Sequence, residues 1–364
     1  MFNFDKSKMC EEGWDEEVYG GGEDGHIDWL KSKHPIPVFD EKFWFDDSID
    51  EETNQKRHDY WIEDEHGPRK YHGSCTGLIA EKKRKFVAFD AYMGMLKKGR
   101  IDDPNDEYYG MSFEQVRDQW ATGGAEASGK GSVMHAEIER FFNNCVDWQN
   151  SELWNTDPDV SPSLVRFLDF FANEIIGKIE PLRTEQNIFD EDFEFAGQAD
   201  FIGRRVEWKN DPAKKNWILI GDWKRTKKNL HNERSYGQML GCCSSLPDVH
   251  LSHYTLQMTL YALIIERRTN LRVQECYLGI FYGANPTYDW IKVEPLREIA
   301  MQMLIERRQS LLAKYSLAVP RLLLENTPDS LREAFDASRS LAGLLKSVTV
   351  YGAQTADIMK DVAS

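Results

Sequence analysis

An apolar run that ends in charged residues constrains the fold of this chain more than any other segment. Trp217-Ile218-Leu219-Ile220-Gly221 is typical of a strand buried in a sheet, and it continues directly into Asp222-Trp223-Lys224. Alternation along a strand places Asp222 and Lys224 on the same face. An Asp-x-Lys sequence alone is usually a surface ion pair, but charge that continues a core strand is costly to bury without a ligand.

Helical periodicity and strand alternation around this strand predict an α/β fold. A capping box of Ser112 with Gln115 predicts one helix start, and Ser252 predicts another. The predicted elements are a hairpin of Asp59 to Ile62 with Tyr71 to Leu78, helices from Ser112 to Trp120, Ala125 to Cys145 and Phe167 to Ile176, a hairpin of Glu185 to Asp190 with Glu194 to Arg204, a helix from Ser252 to Arg268, strands at Val273 to Tyr282 and Tyr288 to Val293, and helices from Leu296 to Leu312 and Ser330 to Leu345.

The charge is distributed unevenly along the chain. The 364 residues include 45 Lys and Arg against 61 Asp and Glu, and a uniform net charge of −16 would repel nucleic acid. Residues 1–70 hold −11 of this total, whereas residues 71–100 carry +5 and residues 201–235 carry +6. The basic segment 71–100 is either a phosphate-facing surface or a solvated helix face. The net charge therefore does not exclude nucleic acid as a partner.

A second carboxylate precedes the central strand by about twenty residues. Asp200 lies in Phe195-Ala196-Gly197-Gln198-Ala199-Asp200-Phe201-Ile202, a strand whose other residues are mostly small or apolar. Asp200 alone would usually be an aspartate that accepts hydrogen bonds from backbone amides. Together with Asp222 on a neighbouring core strand it would be repelled unless a cation lies between them, and such oxygen ligands suit Mg²⁺ or Mn²⁺.

Two helices carry polar residues at helical spacing. His135 and Glu139 share one face of the first, so His135 can point at the sheet, although a lone helical His is more often a satisfied core or surface group. Gln257 and Tyr261 lie one turn apart on an otherwise apolar helix. They could bind phosphate or a nucleotide edge, and the alternative is a buried Tyr with its hydrogen-bond partner.

The order of these motifs resembles the PD-(D/E)XK nuclease superfamily, in the RecB-like branch that includes exonucleases of phages and large DNA viruses. Arg183-Thr184-Glu185, before the first strand, is also similar to that family. The similarity extends from about Ser74 to Val293, and its motifs are Gly-x-x-x-His-x-x-x-Glu at Gly131 to Glu139, Ala-Gly-x-x-Asp at Ala196 to Asp200, Asp-x-Lys at Asp222 to Lys224, and Gln-x-x-x-Tyr at Gln257 to Tyr261.

The resemblance implies a restriction-endonuclease-like core, a mixed central sheet flanked by helices. This core would span residues 71–294. An acidic N-terminal arm with a hairpin would precede it at residues 1–70, and a C-terminal helical extension would follow it at residues 295–364. The arm or the C-terminal helices could dock a replication or recombination protein.

The resemblance also implies roles for individual residues. One or two Mg²⁺ or Mn²⁺ ions would be held by His135, Asp200, Asp222 and the backbone carbonyl of Trp223, while Lys224 would orient or deprotonate the attacking water. The further residues implied are Glu139 and Glu185 as additional acids, and Gln257, Tyr261, Arg225, Lys227 and Lys228 as contacts to the substrate strand. No iron–sulfur cluster is expected, because no cysteine follows Cys276, whereas several His-bearing relatives carry cysteines near the C-terminus.

The expected function is that of a metal-dependent DNA nuclease in replication, recombination or repair, most simply an exonuclease on single-stranded DNA or duplex ends. A structure-specific or nicking endonuclease is one alternative. Another is a non-catalytic nucleic-acid-binding accessory protein, against which the intact Asp200, Asp222 and Lys224 argue.

The apolar stretches and the first residues of the chain indicate where in the cell the protein is expected. Apolar stretches such as Leu260 to Ile265 fall short of the roughly 20 residues that a membrane span needs, so no membrane partner is expected. The first residues, Met1 to Asp5, lack the pattern of a secretory signal. We therefore expect an intracellular protein of the cytoplasm or nucleus, with a virus-infected host as one setting.

Overall fold

The structure is a computed structural model that describes residues 29–40, 43–46, 59–64, 67–71, 73–143, 160–235, 237–325, 327–331 and 333–342. Most of the acidic N-terminal segment lies outside the described residues, and so do residues 343 to 345 at the end of the last predicted helix.

Helices and strands are mixed along the chain, a π turn at Phe171–Ile175 continues one helix, and two 3₁₀ turns lie at Leu230–Asn232 and Gly241–Cys243. The helices are α1 (Trp29–Lys33), α2 (Pro37–Asp40), α3 (Cys75–Ala80), α4 (Ala88–Lys97), α5 (Phe113–Asn143), α6 (Ser161–Phe170), α7 (Val206–Lys209), α8 (His250–Arg268) and α9 (Arg297–Glu325). The strands are β1 (Phe43–Asp46), β2 (Asp59–Asp64), β3 (Gly67–Tyr71), β4 (Ile179–Asp190), β5 (Phe195–Arg205), β6 (Trp217–Lys224), β7 (Arg272–Ile280) and β8 (Asp289–Val293). Residues 328–331 and 333–342 are also helical.

The predicted central strand lies in the middle of a mixed five-stranded sheet with the order β4-β5-β6-β7-β8. Strands β4, β5 and β6 are antiparallel to one another, β6 and β7 are parallel, and β8 is antiparallel to β7. The parallel pair is joined through α8, as a parallel connection requires. Strands β1, β2 and β3 form a separate antiparallel sheet. The chain therefore has the mixed α/β architecture that the element pattern predicts.

Helices cover both faces of the five-stranded sheet. On one face, α8 packs apolar residues such as Leu256 and Leu260 against Ile218 and Ile220 of β6. On the other face, α5 and α6 pack an aromatic cluster against Trp223, which is fully buried. The members of this cluster include Phe141, Phe142, Phe167, Phe170, Phe171, Phe201 and Phe281. Because β6 is buried on both faces, it reads as a continuous apolar run.

Segments outside the predicted core boundaries also pack on this core. Leu30 of α1 joins the aromatic side and Phe39 of α2 joins the α8 side, although both precede residue 71. Met303 and Leu304 of α9 belong to the α8 side, although they follow residue 294. None of the described helices has the length and apolar character needed to cross a membrane.

The predicted break between two helices at residues 121–124 is wrong. A single helix, α5, runs through Gly123 and Gly124 for 31 residues. The predicted capping box is confirmed, because Gln115 N donates to Ser112 Oγ at 3.3 Å and Ser112 N donates to Gln115 Oε1 at 2.8 Å. A glycine costs a helix roughly 1 kcal/mol relative to alanine, which the cap and the buried C-terminal half outweigh.

Two further predicted boundaries are wrong. In each case a side chain that caps the start of a helix sets the boundary, from a distant part of the chain in one case and from the adjacent residues in the other. Helix α8 begins at His250 rather than at Ser252, since the Glu233 carboxylate accepts a hydrogen bond from His250 N at 2.7 Å. The strand predicted from Tyr71 to Leu78 is misplaced, because the observed strand β3 is Gly67–Tyr71 and Ser74 then caps a helix by accepting from Gly77 N at 3.0 Å.

Candidate active site

The predicted carboxylates Asp200 and Asp222 lie on neighbouring strands. Strand β5 pairs with β6 so that Phe201 faces Gly221, and the same register sets Asp200 opposite Asp222. The ladder ends at this point, and Asp200 Oδ2 instead accepts a hydrogen bond from the backbone N–H of Trp223 at 2.6 Å. Asp200 is 6% exposed and Asp222 is fully buried. The sheet therefore holds two acids side by side, away from bulk water.

Glu185 joins them from the edge strand β4, where its backbone interrupts the sheet. Its φ of 44° lies in the left-handed region, which residues other than glycine seldom adopt. The pairing of Gln186 with Ala199 sets Glu185 opposite Asp200, and the side chain of Gln198 donates to the Glu185 carbonyl at 3.2 Å. Strained backbone of this kind is concentrated at functional sites, and here it coincides with the third acid of a row across three strands.

Helix α5 brings His135 to the same row. Its Nδ1 lies 3.2 Å from Glu185 Oε1 and 3.7 Å from Asp200 Oδ2, and its Nε2 lies 3.0 Å from the backbone oxygen of Trp223. One ligand atom from each of His135, Glu185 and Asp200 can be chosen so that all three lie within 4.8 Å of one another. Three oxygen acceptors therefore converge on one imidazole.

The electrostatics of this cluster favour a positive charge at its centre. Burial alone would lower the pKa of His135, but Asp200 and Glu185 raise it to about 9. Burial also raises the pKa of Asp200, against the opposing effect of the His135 charge. In the metal-free protein at neutral pH, His135 is thus an imidazolium that partly neutralises the acids around it.

The donor set fits a hard divalent cation. Carboxylate oxygens, one imidazole nitrogen and the backbone carbonyl of Trp223 are groups that bind Mg²⁺ or Mn²⁺, and nitrogen is better tolerated by Mn²⁺. Asp222 lies beside this cluster on β6, where its carboxylate is buried against the ammonium of Lys224. His135, Glu185 and Asp200 are of ligand types that bind such an ion, and one ligand atom of each lies close to the others.

Asp222 and Lys224 share a face of β6, as strand alternation predicts, and the buried Asp222 forms an ion pair with the partly buried Lys224, whose Nζ lies 2.5 Å from Asp222 Oδ2. Burial raises the pKa of Asp222 to about 7, against the opposing charge of Lys224. Burial would lower the pKa of Lys224, but Asp222 and Asp200 raise it above its ordinary value. Lys224 is therefore an ammonium at neutral pH, a state that suits it to orient a substrate or water rather than to remove a proton.

Gln257 and Tyr261, the predicted contacts to the substrate strand, are turned into the protein. Gln257 Nε2 donates to Tyr261 Oη at 2.7 Å and approaches Asp222 Oδ1 at 3.4 Å. Tyr261 is 4% exposed, so the structure matches the alternative of a buried Tyr with its hydrogen-bond partner. A Cβ on Gly197 would lie 2.5 Å from the Tyr261 ring, which explains why the strand before Asp200 needs glycine there. In this arrangement the pair positions Asp222.

The three basic residues predicted to contact the substrate strand differ in how accessible their charges are to a phosphate. Arg225 lies with its guanidinium 5.4 Å from the centre of the Tyr282 ring, and Lys227 is exposed just after β6. Lys228 Nζ pairs with Glu233 Oε1 at 3.1 Å, so its charge is partly neutralised. Of the three, Lys227 is the most open to a substrate phosphate.

The basic segment at residues 71–100 is neutralised at two of its seven cations. Lys82 Nζ lies 2.6 Å from Glu306 Oε2, and Arg100 Nε lies 2.6 Å from Asp106 Oδ2. Lys85, Lys97 and Lys98 are exposed. The part of this segment that can face phosphate is therefore the surface around α4.

Glu139 lies apart from the cluster of three ligands, one turn further along α5 from His135. It lines a polar cavity of about 230 Å³ that reaches Glu185 on its other side. Asn143 fixes one wall of this cavity, because its amide donates to Thr184 Oγ1 at 2.9 Å. Glu185 therefore belongs to the candidate ligand cluster with His135 and Asp200, whereas Glu139 borders the neighbouring cavity.

Sequence reasoning missed Tyr254 as a site residue. Its ring centre lies 4.9 Å from Lys224 Nζ, so it provides an aromatic face for the ammonium. Tyr254 precedes Gln257 by three residues in α8, and this i, i+3 spacing was the available signal that both reach the end of β6.

No protein-family model matches this chain, and no curated protein matches it.

Proposed function

We propose that this protein is a metal-dependent nuclease of the PD-(D/E)XK type that hydrolyses phosphodiester bonds in DNA, at single strands or duplex ends. The observation that carries the proposal is the alignment of Glu185, Asp200 and Asp222 across three neighbouring strands, with Lys224 and His135 beside them. A row of acids, two of them buried, next to a largely buried ammonium is costly for folding alone. It is what phosphoryl chemistry needs, because both cations and anionic oxygens must be held at one point.

His135, Glu185 and Asp200, with the Trp223 carbonyl, would hold Mg²⁺ or Mn²⁺, and Asp222 would complete the set. The ion would supply charge stabilisation at phosphate oxygens and would ease the deprotonation of water. His135 must give up its proton to bind, since only neutral imidazole is a ligand.

The remaining residues have roles that follow from their contacts. Lys224, fixed by Asp222 and the Tyr254 ring, would place a positive charge against a non-bridging phosphate oxygen or orient the attacking water. Gln257, bonded to Tyr261, would keep the Asp222 carboxylate facing the site. Lys227, which is exposed just after β6, would contact a neighbouring phosphate of the substrate strand.

End-labelled single-stranded and duplex oligonucleotides incubated with Mn²⁺ would test this function. Wild type should release nucleotides, while Asp222→Ala and Lys224→Ala should lose at least a hundredfold in rate, on the order expected for removing a group that stabilises the transition state. Lys214→Ala is the matched control, because Lys214 forms an ion pair with Asp211 at the far end of β6.

Equal activity in wild type and the two site variants, or no activity in any of them, would contradict the proposal. A circular single-stranded substrate separates the modes of action. An exonuclease leaves it intact, and an endonuclease cuts it.

A further inference from the structure

The outer face of α4 leaves large apolar side chains exposed. Phe86, just before the helix, is 72% exposed, Phe89 is 53% exposed and Met93 is 37% exposed. Val87, next to Phe86 in the chain, is 50% exposed. Scattered apolar residues on a surface need no explanation, but a contiguous group on one short helix marks an interaction site.

This exposure is not a gap in the packing of the helix. The opposite face of α4 has its own small core, in which Met95 packs with Ile101 and Val116. Tyr92 and Leu96 lie against the same cluster. The inner stripe is therefore sufficient to attach α4 to α5, and folding does not require apolar residues on the outer stripe.

Basic residues flank the exposed aromatic residues. Phe89, Met93 and Lys97 follow one another at i, i+4 and i+8, so they form one stripe along α4. Between residues 84 and 98 the chain has four basic residues and one acidic residue, Asp90. Aromatic faces alternating with cations form a surface that binds the bases and the phosphates of a single strand, whereas a duplex hides the faces of its bases.

The two exposed phenylalanine rings are held in place. Phe89 makes an edge-to-face contact with Phe113, with ring centres 5.4 Å apart, and Phe86 makes one with Trp120 at 5.6 Å. Rings that are already ordered lose little entropy when a base stacks on them. They form a fixed platform rather than flexible side chains of the kind that insert into a lipid layer.

Helix α5 connects this platform to the candidate active site. Trp120, which touches Phe86, and His135, in the ligand cluster, belong to the same helix. Their separation along the helix is about 22 Å at 1.5 Å per residue, a distance that a short single strand can span. A strand held at α4 would therefore have a phosphate within reach of the cluster.

We infer that the outer face of α4 binds single-stranded nucleic acid, with bases stacked on Phe86 and Phe89 and phosphates against Lys85, Lys97 and Lys98. This inference rests on the proposed function for the identity of the strand, and it makes a single strand the substrate class. The platform would hold the strand that leads into the active site.

Fluorescence anisotropy with a labelled single-stranded oligothymidylate in EDTA tests the platform without cleavage. The double variant Phe86→Ala/Phe89→Ala should bind at least tenfold more weakly than wild type, since each stacked base contributes substantially. Leu324→Ala is the control, because Leu324 is 86% exposed on α9 and should leave binding unchanged. Thermal unfolding of each variant checks that the protein stays folded.

Three results would overturn the inference. The first is an unchanged affinity of the double variant for the oligothymidylate, and the second is an equal loss of its affinity for a blunt duplex. The third is that wild type is a dimer and the double variant a monomer, because this face would then be a contact between two copies of the chain. The nuclease assay with Mn²⁺ is read separately. If the double variant loses binding but wild type has no nuclease activity, the proposed function is refuted and the binding platform is supported. If the double variant binds as wild type does and wild type cleaves DNA, the platform is refuted and the proposed function is supported.

Discussion

Binding of Mn²⁺ should be coupled to the release of the His135 proton. His135 Nδ1 and Nε2 both face oxygen acceptors in the metal-free protein, and Asp200 and Glu185 raise its pKa to about 9 despite burial. A metal ligand must be neutral, so below this pKa every binding event displaces a proton. The affinity for Mn²⁺ should therefore rise with pH until His135 is deprotonated.

The size of the effect follows from the pKa. Between pH 7.5 and pH 8.5 the fraction of neutral His135 increases about eightfold, so the association constant for Mn²⁺ should increase by the same factor, about 1.2 kcal/mol. This pH window lies above the pKa of Asp222, which is about 7, so titration of the Asp222 carboxylate changes the Mn²⁺ affinity little there.

Isothermal titration calorimetry in deoxygenated buffers of different ionisation enthalpy gives the affinity and the number of protons released. Wild type should release close to one proton at pH 8. His135→Asn should bind Mn²⁺ more weakly and lose this release. His253→Asn should match wild type, because that histidine pairs with Asp248 outside the ligand cluster. Wild-type binding that is independent of pH in this window would refute the assignment of His135 as a ligand.

Three other predictions follow from buried groups. Burial raises the pKa of Asp222, so the folded protein binds this proton more tightly than the unfolded chain, and metal-free stability should fall as pH rises through the folded-state pKa of Asp222. Asp222→Asn should remove that fall in urea titrations at several pH values, and an unchanged pH slope would contradict it. Gly197→Ala should cost about 1 to 3 kcal/mol in urea unfolding and reduce cleavage, because its methyl group would overlap Tyr261. Gly221→Ala should be tolerated, since its nearest neighbours are 3.4 Å away, and equal effects of the two changes would refute this reasoning. Phe167→Ala should lower the free energy of unfolding by about 3 to 5 kcal/mol, because the side chain is fully buried among aromatic rings, and a loss below 1 kcal/mol in the same titrations would show that the cluster repacks.

Strand β6 illustrates what local sequence can predict. Its limits, Trp217 and Lys224, match the structure because an apolar run buried on both faces has no competing helical pattern. The shared face of Asp222 and Lys224 follows from alternation alone, and their ion pair confirms it. The hairpin of β4 and β5 is likewise predicted, although β4 begins at Ile179, before the predicted start at Glu185.

Structural features that depend on contacts between distant residues could not be predicted from the local sequence. The left-handed backbone of Glu185 depends on its neighbours in the sheet, since the residue itself does not favour that conformation. The start of α8 depends on Glu233, and the neutralisation of Lys82 depends on Glu306. Gln257 turns inward because Tyr261 and Asp222 are both within reach, which spacing along a helix does not reveal.

Whether this protein is a nuclease is decided by the rate at which it hydrolyses an end-labelled single-stranded DNA in Mn²⁺. Wild type should release labelled nucleotides, and EDTA or Asp200→Asn should abolish the release. Asp211→Asn should cleave at the wild-type rate, because Asp211 lies in the turn before β6 and pairs with Lys214. Cleavage by Asp200→Asn at the wild-type rate, or no metal-dependent cleavage by wild type, would contradict the proposed function.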